Sequence, residues 1–276
     1  MDYFPANWGQ QRPASHADHN WLVTPGAGHS QGARAPSNVG VSADYATGIV
    51  SHTSSPIVTG TSVVAFKFKD GIIMATDCLA SYGSLARFRN MERMTPVGQH
   101  TIVGASGDVS DFSYIKHQLD QLMIDEYESA DGHTLGPRNV YEYLHRVMYH
   151  RRSQFNFLWN TLLVGGIKDG EKFLGCVDMK GVTYTSPTIA TGFGAYLAQP
   201  ILRKAVEGRE DQIDEAEARK IMDKVMRVLF YRDARSLNKI QVSVVTEKGV
   251  DVSEPRTLQT EWAFAESISG YGAAQP

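Results

Sequence analysis

Cysteine is almost absent from this chain: 276 residues contain two, Cys78 and Cys176, far apart in sequence. That count excludes a disulfide scaffold and a cysteine-based zinc cluster. The pair reads as two small interior hydrophobes of a reducing compartment. A basic excess is lacking too. Lys and Arg number 27 against 30 Asp and Glu, a net charge of −3, which argues against a dedicated nucleic-acid binder. No apolar run approaches the roughly 20 residues that cross a bilayer, so a soluble protein without a membrane partner is expected. The rest is an ordinary globular mixture, 42% hydrophobic and 21% charged, enough for one large core.

The first 52 residues have their own deficits: no Lys and no Glu, with three Asp, two Arg and four of the nine histidines. Gly, Pro, Ser, Ala and Asn dominate, and such a stretch cannot bury enough surface to offset its ordering entropy. It lacks the basic start and the apolar stretch of roughly 7–15 residues that mark a secretory signal. His16, His19, His29 and His52 follow no ligand spacing, so no metal site is read. Its glycines lie in no strand-to-helix context, so no phosphate loop or other cofactor site is read either. Residues 1–52 are therefore expected to be a disordered tail or removable propeptide.

Composition changes at Pro56. Thr61 to Phe68 is β-branched and alternating, Ile72 to Asp77 repeats the character, and Lys69-Asp-Gly71 joins them as a hairpin signal. Thr101 to Ala105 is a short buried strand. Apolar residues at 112, 115, 119, 122 and 123 have helical spacing, and Pro137 suits the first turn of a second helix. Strands return at Thr161 to Ile167, Phe173 to Val177 and Val182 to Thr185. A third helix starts near Gly194, and a fourth after the capping-box-like Asp214-Glu-Ala-Glu217. Ile240 to Thr246 and Val250 to Val252 close as a hairpin. Strands, two helices, strands, two helices, strands fit an α+β layered sandwich better than a βαβ fold. The aromatic tail beyond Val252 either folds back on its own domain or docks on a partner, with Trp262, Phe264, Ile268 and Tyr271 as anchors.

Four segments resemble the eukaryotic 20S proteasome beta subunits: Gly60-Thr-Ser-Val63, Gly71-Ile-Ile-Met-Ala-Thr-Asp77, Gly104-Ala-Ser-Gly107 and Tyr231-Arg-Asp-Ala-Arg-Ser236. Others are similar to the beta type-4 branch of that family, which takes the seventh position of the beta ring. They include Gly83-Ser-Leu-Ala-Arg-Phe88, Ser106-Gly-Asp108, Tyr149-His-Arg-Arg-Ser153, Leu158-Trp-Asn160 and Ala190-Thr-Gly-Phe-Gly-Ala-Tyr-Leu-Ala-Gln-Pro200. The resemblance runs from about Pro56 to Gly272 and implies a four-layer αββα sandwich of the N-terminal nucleophile hydrolase type over 61–253.

The resemblance also assigns roles. Thr61 stands at the nucleophile's position, Asp77 at the orienting aspartate, Gly107 at the oxyanion glycine, and Asp233 and Ser236 at the second aspartate and distal serine. Two positions depart: Arg93 replaces the active-site lysine, and Phe193 replaces the serine beside the amine. Arginine keeps its proton and cannot be tuned as a lysine can, and phenylalanine removes a hydroxyl and adds a ring. The expectation is a degenerate site with no catalytic residue and no metal. Asp77 then pairs with Arg93, Asp233 caps local backbone, and Thr61 is an ordinary strand-start residue. An active threonine endopeptidase using Thr61 is the alternative, and a stand-alone binding module is a third.

A silent site cannot release its own propeptide. In the resembling branch a short leader is kept and cut in trans, which nominates the His52–Thr53 bond, a retained leader over 53–60 and a mature start at Thr53; the competing reading is no cleavage. The resemblance further implies a structural part in the 20S core within ubiquitin-dependent degradation, in cytoplasm and nucleus. The expected partners are beta subunits of the same and the opposite ring, alpha-ring subunits and assembly chaperones. The 254–276 extension is expected to dock on neighbouring subunits.

Overall fold

The computed structural model describes residues 52–263, and contacts divide the chain into two units, 1–52 and 53–276. The chain opens with β1 (Val58–Gly60), β2 (Val63–Phe68), β3 (Gly71–Asp77), β4 (Ala80–Tyr82), β5 (Leu85–Phe88), β6 (Met94–Val97) and β7 (Thr101–Asp108). Two helices come next, α1 (Val109–Ser129) and α2 (Pro137–Ser153), then β8 (Asn160–Lys168), β9 (Glu171–Val177), β10 (Thr183–Thr185) and β11 (Thr188–Ala190). Helices α3 (Gly194–Val206) and α4 (Glu215–Arg232) precede β12 (Lys239–Thr246), β13 (Gly249–Val252) and β14 (Arg256–Thr257).

One sheet runs β10-β9-β8-β7-β1-β4-β5, with β6 also on β7; the other runs β11-β2-β3-β12-β13, with β14 on β12. Val103, Phe112, Ile115, Leu144, Met148 and Val164 pack the first sheet against α1 and α2. Val64, Phe66, Ile73, Leu202, Met222 and Val242 pack the second against α3 and α4. Between the sheets lie Val63, Ile72, Met74, Ile102, Leu163 and Val245. The layers are therefore α, β, β, α, as the resemblance implied. Because each sheet is covered on both faces, β3 is buried at every residue and reads as an apolar run rather than an alternation. Gly71 permits the close approach of β12: a Cβ there would lie 1.8 Å from the Val245 carbonyl oxygen.

Helix boundaries obey local chemistry. The Asp214 carboxylate accepts from the Glu217 amide at 2.7 Å and starts α4, a cap of the kind worth about 1 kcal/mol. Asp108 caps α1 in the same way through the amides of Ser110 and Asp111. One reading of the chain changes. Thr61 is not a strand-start residue; β2 begins at Val63, and Thr61-Ser62 carry the chain from one sheet to the other. The end of the leader also has regular structure that the sequence pattern does not show: 58–60 form β1, antiparallel to β7 and β4.

Past β13 the described chain turns back along α4. Leu258 is buried, and the Glu261 amide donates to the Tyr231 hydroxyl at 2.8 Å. Trp262 meets the rings of Tyr231 and Phe230 edge-on, at 5.1 and 6.1 Å. Of the tail anchors, Trp262 thus folds back on its own domain while staying half exposed. Phe264, Ile268 and Tyr271 lie outside the described residues. Among the described residues, no helix is long and apolar enough to cross a membrane.

Candidate functional site

The crossover between the sheets is built around a buried guanidinium. Arg93, just ahead of β6, is 2% exposed, and every one of its side-chain N–H groups has an acceptor. Nε donates to the Asp77 carbonyl at 3.2 Å. Nη1 donates to the carbonyls of Thr61 and Ala105, at 2.8 and 3.0 Å. Nη2 donates to the Ser62 carbonyl at 3.0 Å and forms an ion pair with Asp77 Oδ1. Arg93 thereby ties the crossover to β3 and β7, and its donor fork is fully used.

Asp77 closes the other side of that node. Its Oδ2 accepts from the amides of Leu237 and Leu79, at 3.1 and 3.3 Å. Burial pushes the Asp77 carboxyl up from its ordinary value, while the Arg93 guanidinium and those amides pull it back. The pairing is what such burial demands, since an unpaired buried carboxylate is strongly penalised. Gly60 lets the guanidinium in: a Cβ at that position would sit 2.3 Å from Arg93 Cδ.

The nucleophile-type position is held more lightly. Thr61 Oγ1 donates to Asp233 Oδ2 at 2.6 Å, and Asp233 Oδ1 accepts from the Arg235 amide at 2.9 Å. Ser236 Oγ donates to the Asp233 carbonyl at 2.9 Å. Thr61, Asp77, Arg93, Asp233 and Ser236 are thus gathered into one region. A threonine hydroxyl needs an adjacent base to attack a carbonyl. Here its one proton is given to Asp233.

The groove beside it is filled. Gly107 has φ of +93°, and a Cβ there would lie 2.1 Å from the Trp159 carbonyl oxygen. Register places Gly107 opposite Gly60 on one side and Asn160 on the other. β1 therefore lies between β7 and β4 and is paired with both. Phe193 sits at the start of α3 and is 57% exposed, while the following Gly194 amide donates to Ser62 Oγ at 2.8 Å. Its effect here is the missing hydroxyl rather than a ring wedged against residue 61.

Comparison with known proteins agrees with this geometry. A proteasome subunit family model matches residues 57–245. Proteasome subunit beta type-4 of Xenopus laevis is 53% identical over 224 residues, 81% of this chain and 92% of that protein. Its Arabidopsis thaliana namesake is 49% identical over 213 residues, 77% of this chain and 85% of the relative. Proteasome subunit beta type-7 of Saccharomyces cerevisiae is 42% identical over 283 residues, covering 99% and 98% of the two chains. The chain belongs to the proteasome subunit family.

Within that family it is a non-catalytic beta subunit of the 20S core, one that assembles with other proteasome subunits. The active-peptidase alternative is not favoured, and membership argues against a stand-alone binding module. Residue matching found the proteasome-type positions, but it missed the acceptors that immobilise Arg93. These are main-chain oxygens of Thr61, Ser62, Asp77 and Ala105, and main-chain atoms leave no trace in residue identity. It also missed what Asp108 and Trp159 touch. Both stand in segments that carried the resemblance, yet their partners in the leader are 51 and 106 positions away.

Proposed function

We propose that this beta subunit works by shape alone: it completes the beta ring, contacts an alpha ring and the opposite beta ring, and leaves hydrolysis to its neighbours. The observation that carries this reading is the saturated Arg93 fork. A group with all its N–H bonds committed has none left to tune an amine or hold a transition state. The leader 53–60 is retained, and the His52–Thr53 bond is cut in trans by an active neighbour. His52 and Thr53 are both exposed, which supports access by another subunit, and the pairing of β1 on both edges supports retention of the leader.

Residues 254–276 reach neighbouring subunits, with Phe264, Ile268 and Tyr271 as the docking set and Trp262 as the hinge point on α4. The chain works in cytoplasm and nucleus, and assembly chaperones guide its incorporation. Two free buried cysteines fit a reducing compartment. The test is a pair of variants in purified core particles. Thr61→Ala is expected to leave every peptidase activity of the particle unchanged. Truncation after Glu261 is expected to reduce the yield of doubled particles. Loss of an activity in the first, or full assembly in the second, overturns the corresponding half of the proposal.

A further inference from the structure

The leader is gripped at two points by side chains that the degenerate site does not use. Trp159 Nε1 donates to the Thr53 carbonyl at 2.9 Å, and Asp108 Oδ2 accepts from the Ile57 amide at 2.8 Å. The gripping residues are themselves fixed. Asp108 Oδ1 accepts from the amides of Ser110 and Asp111, at 2.8 and 3.2 Å. The Asp108 amide donates to the Trp159 carbonyl at 2.9 Å, and the Trp159 amide donates to Asp111 Oδ2 at 2.8 Å. Both grips therefore rest on the junction of β7, α1 and β8 rather than on a loose loop. Beyond Ile57 the backbone enters β1 and is paired on both sides.

We propose that Trp159 is the ruler that sets where the leader is cut. A peptidase that breaks the Thr53–Ser54 bond must attack the Thr53 carbonyl, and the indole N–H already holds that oxygen. The His52 carbonyl is the last one ahead of the anchor, so the His52–Thr53 bond is the last one before the gripped stretch. Between the two grips, Ser54 to Pro56 span only about 10 Å when extended, too short a tether to lie along a peptidase cleft while both ends stay pinned. Selection is thus by main-chain tethering on this subunit, not by the side chains flanking the bond.

This rests on the reading that an active neighbour trims the leader. In that step the neighbour's threonine oxygen adds to the His52 carbonyl carbon. The His52–Thr53 C–N bond breaks, and the departing nitrogen takes up a proton to become the amine of residue 53. Water then hydrolyses the resulting ester, giving its hydroxyl to the His52 carboxyl and a proton back to the threonine oxygen. Trp159 makes no bond in this chemistry; it is a positioning residue.

The test is the intact mass of this chain in purified core particles that have no other source of the subunit. The unaltered chain is expected to start at Thr53. Trp159→Phe keeps a ring beside Phe157 and every main-chain bond but removes the indole N–H, and is expected to move most chains to starts between positions 54 and 57. A double variant, His52→Ala with Thr53→Val, changes both flanking side chains and keeps the anchored carbonyl, so its start is expected to stay at position 53. It carries the test alone if the indole variant does not enter particles. A Trp159→Phe chain that still starts at Thr53, or a double variant whose start moves, overturns the ruler while leaving trans-trimming intact. An unaltered chain that starts elsewhere overturns the trimming reading and the ruler with it.

Discussion

Arg93 and Thr61 meet at one site but are held in opposite ways. The guanidinium is sealed from solvent by hydrogen bonds to the crossover, β3 and β7, whereas Thr61 is half-buried and its hydroxyl donates once, to Asp233. The residue that departs from a peptidase's needs is the better integrated of the two. The side chain that matches those needs makes a single hydrogen bond, and Thr61 serves the crossover through its main-chain carbonyl. The contrast teaches that resemblance in residue type says little about work done; the number of committed partners says more.

Several changes should sharpen or break that contrast. Arg93→Ala should have the largest effect, because it strands the Asp77 carboxylate and the carbonyls of Thr61, Ser62, Asp77 and Ala105 in the interior. Breaking a buried pair in this way costs about 3–5 kcal/mol. Amide exchange in β2, β3 and β7, measured in assembled particles, should then speed up on the order of 10³-fold if those strands open locally. Gly60→Ala comes next. It pushes a methyl into the Arg93 side chain, and overpacking of this kind costs about 1–3 kcal/mol. Faster exchange should appear first at Thr61 and Ser62.

Thr61→Ala loses one hydrogen bond, about 1 kcal/mol, and should change neither the particle's peptidase rates nor exchange beyond its own turn. The last effect is confined to alkaline pH. Burial pushes the Cys176 thiol up from 9.0 to about 11, and Tyr184 beside it is raised to about 12. Below about pH 9 both folded and unfolded thiols keep their protons, so this contribution is whole. As pH rises toward about 11 the unfolded chain gives up its proton first and stability is lost. Cys176→Ser should flatten the pH dependence of thermal unfolding across that window, from 9.0 to about 11.

Much of the fold is legible in the sequence. Long elements announce themselves: α1 through its apolar spacing, α4 through Asp214 and Glu217, β2 and β3 through β-branched runs. The elements that escape are short or cryptic. β4, β5 and β6 occupy Ala80 to Val97, where Gly83, Arg87, Arg89 and Pro96 break any periodic pattern; β6 pairs with β7, β4 with β1, and β5 with β4. β1 escapes because Val58-Thr-Gly60 has no strand signature of its own and is ordered by pairing with two neighbours.

The site divides along the same line. The Asp77–Arg93 pair is readable as opposite charges at matched positions, and the structure brings them together. The exposed position of Phe193, the hydroxyl of Thr61 on Asp233, and the grips of Asp108 and Trp159 all depend on contacts between distant segments. No local pattern encodes those.

The Gly60–Thr61 bond is expected to stay intact, because the guanidinium beside it has every N–H committed to other acceptors. The most direct measurement is the N-terminal sequence and mass of this chain isolated from mature core particles. The expected chain still carries Val58-Thr-Gly60 ahead of Thr61. A chain beginning at Thr61 would contradict the account, since it would mean that the crossover had released a free threonine amine despite Arg93.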